Sequence, residues 1–313
     1  ITYIFTGLNI IKRKEIFLLI ENTFFIILYI LVGSLFFSFY YKNSFSFYVN
    51  GNGGFIGNYL IRLLLLKNYK VIGGYYKKKK FNKIDKVKYV YCDVRNLSNI
   101  KKVLNNYKPS IIFHLAAKSH PFYSFTNPIE TMNTNVIGTI NLLETCKDLR
   151  NKTKIVIACS SGQYGSRPFT KLPMVENNQY DPEHIYGLSK VFQDSLCKQY
   201  YKMFKLNIIR AILFNTSGPG KKFDVFFDIC NQFSKQFHKK KIVIKCGNLN
   251  NFRDFMHVED VAKALLFLSN KGLAGESYNI GSAKLTKISR IIEILKRKYK
   301  KNIVTKIDKK LLR

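Results

Sequence analysis

Apolar residues fall into two alternating textures along most of the chain. Short runs rich in β-branched and aromatic residues read as buried strands: "FSFYVN" (45–50), "KVIGGYY" (70–76), "VKYVYCDV" (87–94), "PSIIFHLAA" (109–117) and "KIVIACSS" (154–161). Between them, apolar residues recur at helical spacing in "NYLIRLLLLKN" (58–68), in "NLSNIKKVLNNY" (96–107) with an Asn or Ser cap, and in "NPIETMNTNVIGTINLLETCKDL" (127–149). Strands alternating with helices predict βαβ units, and so an α/β, Rossmann-like, doubly wound parallel sheet with helices on both faces. After "LNIIRAILFN" (206–215) the texture changes. A turn-rich "TSGPGKK" leads to a helical "FDVFFDICNQFSKQF", a strand "KIVIKCGN", a helix "HVEDVAKALLFLSN" and then "GESYNIGS". This predicts a smaller C-terminal α/β lobe, with ligands in the crevice between the two parts. The expected division is therefore a sheet domain over 43–215 and a lobe over 216–313.

Residues 1–42 do not fit that alternation. No charged residue occurs between Glu21 and Lys42, and "IKRKE" precedes the apolar run. The run is long enough to span a bilayer as a helix, so a membrane contact through residues 23–41 is one expectation. A cleaved signal and a wrongly extended gene model are the others. The expected location is cytoplasmic, with a membrane-anchored form as the alternative.

Composition narrows the function less than it first suggests. The formal net charge is +33, but the lysines are spread along the chain, and Asn, Ile, Phe and Tyr are also heavily used. That reads as AT-rich codon usage rather than a clustered basic face, and no nucleic-acid partner is expected. The cysteines (Cys92, Cys146, Cys159, Cys197, Cys230, Cys246) lie far apart, which argues for a reducing compartment and against a disulfide scaffold. Neither they nor the histidines show metal-ligand spacing, so no metal is expected.

Two motifs carry chemistry. Gly51, Gly54 and Gly57 form G-x-x-G-x-x-G between a strand and an amphipathic helix. The first allows a tight turn, the second a close approach of backbone to a pyrophosphate, and the third helix-on-strand packing, with the helix N-terminus facing the phosphates. Tyr186 and Lys190, four apart, share one face of a helix. An ammonium beside a phenol favours the phenolate, making the tyrosine a better acid–base group. The hydroxyls of "CSSGQYG", at the end of a strand, are placed to hydrogen-bond a substrate carbonyl. Ser, Tyr and Lys beside a dinucleotide are the parts needed for hydride transfer to or from a sugar carbinol.

With these pieces the chain resembles the extended short-chain dehydrogenase/reductase family, in its sugar-nucleotide epimerase/dehydratase branch. The resemblance runs from about residue 45 to the end, through "GNGGFIG", "CDVRN", "FHLAAKSH", "TNVIGTINLLE", "SSGQYG", "YGLSK", "LFNTSGPG", "RDFMHVEDVAKAL" and "GESYNIGS". Several segments most resemble GDP-4-keto-6-deoxy-mannose reductases, with GDP-mannose dehydratases next. The resemblance implies Tyr186 as general acid, Lys190 as the residue that holds the nicotinamide ribose and lowers the tyrosine pKa, and Ser160 (alternatively Ser161) as the hydroxyl partner. Gly51, Gly54, Phe55, Ile56 and Gly57 would cradle the cofactor pyrophosphate, Asp93 and Val94 would meet adenine, and Leu115, Ala116 and Ala117 would line the cofactor cleft. Asn215 and Arg253 resemble residues that hold a substrate diphosphate.

Departures from the family pattern refine these expectations. After the second strand stands "GYYKKKK", with no carboxylate for a ribose 2′-hydroxyl, so NADP is expected over NAD, with Lys77 as a 2′-phosphate partner or as part of a solvated loop. Where the dehydratases carry a glutamate this chain has Gly162, which favours 4-keto reduction or epimerisation over dehydration. "IDKKLLR" resembles a segment that normally continues, so the lobe is expected to be truncated. His114 reads as a packed core histidine, His120 and Tyr123 as candidates for substrate contact, and His257 and Glu259 as a helix start. The expectation is an NADP-dependent reductase of a nucleotide-diphospho-4-keto-6-deoxy sugar, a homodimer as the family implies. Alternatives are a GDP-mannose 4,6-dehydratase, a sugar-nucleotide 4-epimerase or, in another class, a non-catalytic membrane-tethered nucleotide-binding protein.

Overall fold

The chain alternates β1 (Ser46–Asn50), α1 (Phe55–Leu66), β2 (Lys70–Tyr75), β3 (Val87–Tyr91), α2 (Leu97–Tyr107) and β4 (Ile111–His114) in its first third. Then come α3 (Pro121–Thr126), α4 (Pro128–Met132), a π-helical turn over Asn133–Ile137, α5 (Gly138–Asp148), β5 (Lys154–Ser160), α6 (Ile185–Phe204) and β6 (Ile208–Leu213). The remainder is β7 (Asn215–Ser217), α7 (Val225–Lys235), β8 (Lys241–Cys246), β9 (Phe252–His257), α8 (Val258–Lys271), β10 (Ser277–Ile280), β11 (Leu285–Lys287), α9 (Ser289–Tyr299) and β12 (Asn302–Ile307). The computed structural model describes residues 45–51, 54–76, 83–149, 153–168, 172–222 and 224–311. The expectations for residues 1–42 and for Lys77 lie outside these. Among the described residues no helix is long and apolar enough to cross a membrane.

A parallel sheet in the order β10-β6-β5-β4-β1-β2-β3 forms the centre. Its inner strands β4, β5 and β6 are buried almost throughout, as continuous apolar runs covered on both faces must be. On one face α8 packs against α1; on the other lie α2, α5 and α6. This is the doubly wound sheet that the sequence pattern predicts. The order reverses between β1 and β4, so the ends of these strands open a crevice where a ligand can sit. Gly51 follows β1 and Leu115 follows β4, which puts both at that crevice.

The chain after Asn215 does not stay in one place. α8 and β10 return to the central sheet, whereas β7, β9 and β11 form a small sheet of their own and β8 pairs with β12. The alternation along β8 buries Ile242 and Ile244, which join Ile229, Phe233, Ile291, Ile292, Leu295 and Ile303 in a second core. From Ser46 onward the chain is one compact unit, because these returns bind the two cores together.

Candidate active site

A cleft of about 2190 Å³ lies over the carboxyl ends of the central strands. Gly51, Gly54, Phe55, Ile56, Gly57, Leu115, Ala117, Ser160, Tyr186, Lys190, Asn215 and Arg253 all line it. One hollow thus gathers most of the residues singled out in the sequence. Ala116 lies just behind the wall: a Cβ on Gly51 would come within 2.8 Å of its backbone nitrogen. With φ of +85° as well, Gly51 is a position only glycine fills without strain. Asp93 and Val94 are absent from the lining. Val94 is buried, and Asp93 accepts two-pronged hydrogen bonds from Arg95, which hold its carboxyl below the usual carboxylate range.

The start of α1 suits a diphosphate. Gly54, its N-cap, offers no side-chain cap, and the first turn holds no acidic residue, so the unpaired N–H groups face the cleft without a competing anion. Lys221 adds a cation at the same end, its Nζ 5.3 Å from the centre of the Phe55 ring. The hydroxyl of Tyr59 donates to the Pro219 carbonyl (2.9 Å), tying the 218–222 turn to α1. These features fit the pyrophosphate of a dinucleotide cofactor.

The opposite wall holds the hydroxyl, phenol and ammonium groups. Ser160 ends β5 and is 9% exposed; its Oγ accepts from the Gly162 N–H (3.2 Å). Tyr186 and Lys190 lie one turn apart on α6. The helix begins at His184, whose Nδ1 accepts from the Gly187 N–H (2.8 Å), and the His184 ring stacks on that of Tyr186 at 5.8 Å. The Tyr186 N–H donates to Ser124 Oγ (3.1 Å), which fastens this turn to α3. Lys190 is 2% exposed, with Nζ 5.9 Å from the centre of the Tyr186 ring, donating to the Ala158 carbonyl (2.7 Å) and to Gln193 Oε1 (2.6 Å).

Burial acts on these two groups in opposite directions. It pushes the Tyr186 phenol up to about 12, against the Ser160 hydroxyl, which favours the phenolate. It brings the Lys190 ammonium down to about 8. At neutral pH the tyrosine therefore holds its proton and the lysine its charge.

Other expectations find their places. His114 is 1% exposed in the core, with burial bringing its pKa down to about 3. His257 caps α8 by accepting from the Glu259 N–H, and Glu259 and Asp260 occupy the first turn, where acids are favoured. His120 caps α3 and lines the cleft, whereas the Tyr123 hydroxyl donates to Glu130 away from it. Among the described residues no group of three or more His, Cys, Asp or Glu side chains is placed to hold a metal. Sequence reasoning did not single out His184, Ser124, Gln193 or Lys221. Only His184 carries a local signal, a cap immediately before the helix of the tyrosine motif.

The profile of the GDP-mannose 4,6 dehydratase family matches residues 48–312. The chain is 30% identical over 265 residues to a UDP-glucuronate 4-epimerase of Thermodesulfobacterium geofontis, covering 80% of this chain and 79% of that protein. It is 33% identical over 193 residues to a GDP-6-deoxy-D-mannose reductase of Pseudomonas aeruginosa, covering 60% and 62%. The solved structure of RMD from Pseudomonas aeruginosa complexed with NADPH superimposes with a TM-score of 0.70 at 25% identity, covering 85% of this chain and 86% of that one. The chain thus belongs to the NAD(P)-dependent nucleotide-sugar epimerases, dehydratases and reductases of the short-chain dehydrogenase/reductase type.

Proposed function

We propose that this enzyme reduces the 4-keto group of a GDP-4-keto-6-deoxy sugar, with NADP as the preferred cofactor. The observation that carries the reading is the pairing of an intact Ser160, Tyr186 and Lys190 wall with Gly162 at the position where the dehydratases carry a glutamate. A Cβ at Gly162 would stand 3.3 Å from His184 Cε1 and 3.5 Å from Ser160 Oγ, so a carboxylate there would reach the reacting group. This chain supplies none at that point. Glu183 also lines the cleft, but its carboxylate is engaged by Ser166 (3.0 Å). The likeness to the Pseudomonas reductase supports the same choice.

The nicotinamide, when bound, supplies the hydride that the sugar carbonyl carbon accepts. Tyr186, protonated at neutral pH, gives its proton to the carbonyl oxygen, and the product is the 4-hydroxy sugar. Ser160 Oγ donates a hydrogen bond that orients the carbonyl. The Lys190 ammonium stabilises the phenolate left on Tyr186 and so lowers the cost of proton transfer. Gly51, Gly54, Phe55, Ile56 and Gly57 hold the cofactor diphosphate at the start of α1. Asn215 on β7 and Arg253 on β9 meet the diphosphate of the sugar nucleotide; the guanidinium suits an anion with paired oxygens.

A second reading, 4-epimerisation, has the likeness to the UDP-glucuronate 4-epimerase behind it and uses the same wall. Mass spectrometry and NMR of products separate the two. With NADPH and GDP-4-keto-6-deoxymannose the expected product is two hydrogens heavier, with NADPH consumed in equal amount. An unchanged keto sugar, together with interconversion of UDP-sugar epimers, would establish epimerisation instead. GDP-mannose with NADP is expected to remain intact, and loss of water from it would overturn the reading of Gly162.

A further inference from the structure

Lys190 is a buried cation with no carboxylate paired to it among the described residues. The groups facing it are the Ala158 carbonyl and the Cys159 thiol from β5, Tyr186, Gln193 and Cys197 from its own helix, and His114 from β4, with Asp194 and Arg210 near the two thiols. Asp194 is spent on Arg210 (2.8 Å) and on the Tyr180 hydroxyl (3.0 Å). The two thiols are held neutral by burial, and so is the His114 imidazole. Two neutral oxygens therefore carry the ammonium, and only one belongs to a side chain. An unpaired buried charge is expensive, so the acceptor that remains matters out of proportion to its size.

That acceptor is itself fixed. Gln193 is fully buried, and its Nε2 donates to Thr139 Oγ1 (2.8 Å). The single proton of the Thr139 hydroxyl goes to the Asn135 carbonyl (2.7 Å), so Oγ1 can only accept from its other neighbours. His114 Nε2, 3.1 Å away, must then be the protonated ring nitrogen, a second donor to the same oxygen. With two donors converging on Thr139, the Gln193 amide cannot flip without pointing its NH2 at the lysine and its oxygen at an oxygen. The π-helical turn at Asn133–Ile137, which presents the Asn135 carbonyl, and Thr139 at the start of α5 thereby dictate which end of Gln193 faces Lys190.

We propose that Gln193 is a positioning residue of the active site: its carbonyl, aimed by Thr139 and Asn135, holds Lys190 in place and in its charged form, and through Lys190 keeps Tyr186 a competent acid. The inference rests on the assignment of Lys190 and Tyr186 to the reaction, but its first test does not use turnover. In the full-length chain labelled with [ε-13C]lysine, the Lys190 signal is identified by its loss in Lys190→Arg, and its midpoint is followed by NMR without cofactor. Gln193→Glu places a carboxylate against the ammonium and is expected to raise the midpoint by about one to three pH units. Gln193→Leu removes the acceptor and is expected to lower it. The alkaline limb of the kcat profile with NADPH should move in the same direction in each variant. A purely structural role would change the unfolding midpoint but leave the lysine titration where it was. If Gln193→Leu does not fold, Gln193→Glu alone decides. A Lys190 midpoint unmoved in the folded variants overturns the inference, whatever the substrate proves to be. Full activity in Tyr186→Phe would instead overturn the reaction assignment and leave the NMR result standing.

Discussion

Tyr186 and Lys190 start from similar intrinsic pKa values, and burial drives them apart because one is neutral and the other charged when protonated. Burial makes the phenol a weaker acid, and in the proposed reaction the ammonium beside it stabilises the phenolate left when the proton moves to a carbonyl. Removing the hydroxyl should therefore abolish proton transfer while sparing the diphosphate cradle. Tyr186→Phe is expected to lower kcat by about 10²–10⁴-fold, with NADPH affinity by fluorescence quenching unchanged; comparable turnover in the variant would discard Tyr186 as the acid. In the wild type, kcat should fall as pH rises through about 8, where Lys190 loses its charge, rather than near the ordinary lysine value. The spacing of tyrosine and lysine was legible in the sequence, because four residues on a helix return to one face. The Gln193 contact was not, since nothing local distinguishes a glutamine facing a lysine from one facing solvent.

At the scale of elements, α6 carries both the proposed acid–base pair and its anchorage. Beyond Lys190, its buried face continues through Gln193, Asp194 and Cys197. Asp194 pairs with Arg210 of β6 at 2.8 Å, and Arg210 Nη2 reaches on to the Gly275 carbonyl just before β10. One ion pair thus ties the helix to two strands of the central sheet. Asp194→Ala would leave a guanidinium buried with no counter-charge, and the expected loss is about 3–5 kcal/mol of unfolding free energy by urea titration. A loss below about 1 kcal/mol, the range of a surface pair, would show that the bridge is incidental. The sequence pattern predicts one long helix over 127–149, and the structure divides it into α4, the π-helical turn and α5. Hydrophobic spacing cannot reveal such a turn, which inserts only one extra residue into the helical ladder. It is nevertheless this turn and the start of α5 that present Asn135 and Thr139 to α6.

Across the whole molecule, the central sheet places its one buried histidine where acid will find it. The folded chain holds His114 at a pKa of about 3, below the 6.5 of an exposed imidazole, so the unfolded chain binds a proton the folded one refuses. Stability is then complete above about pH 6.5 and falls as pH drops towards 3, with a slope of about 1.4 kcal/mol per pH unit from this one group. His114→Gln should flatten the dependence of unfolding free energy on pH between 6 and 4 by about that slope, and identical slopes would place the acid sensitivity elsewhere. The alternation of strands and helices through β6, the glycine turn and the tyrosine–lysine spacing were determined by the sequence alone. They rest on periodicity and on residues that do their work within a few positions of one another. What only the tertiary structure decided is which distant segments meet: the return of α8 and β10 to the central sheet, and the hydrogen bonds by which His114 and Gln193 converge on Thr139. Those contacts join residues tens of positions apart. Whether a buried polar group finds its partner is settled by packing and desolvation in three dimensions, not by its neighbours along the chain.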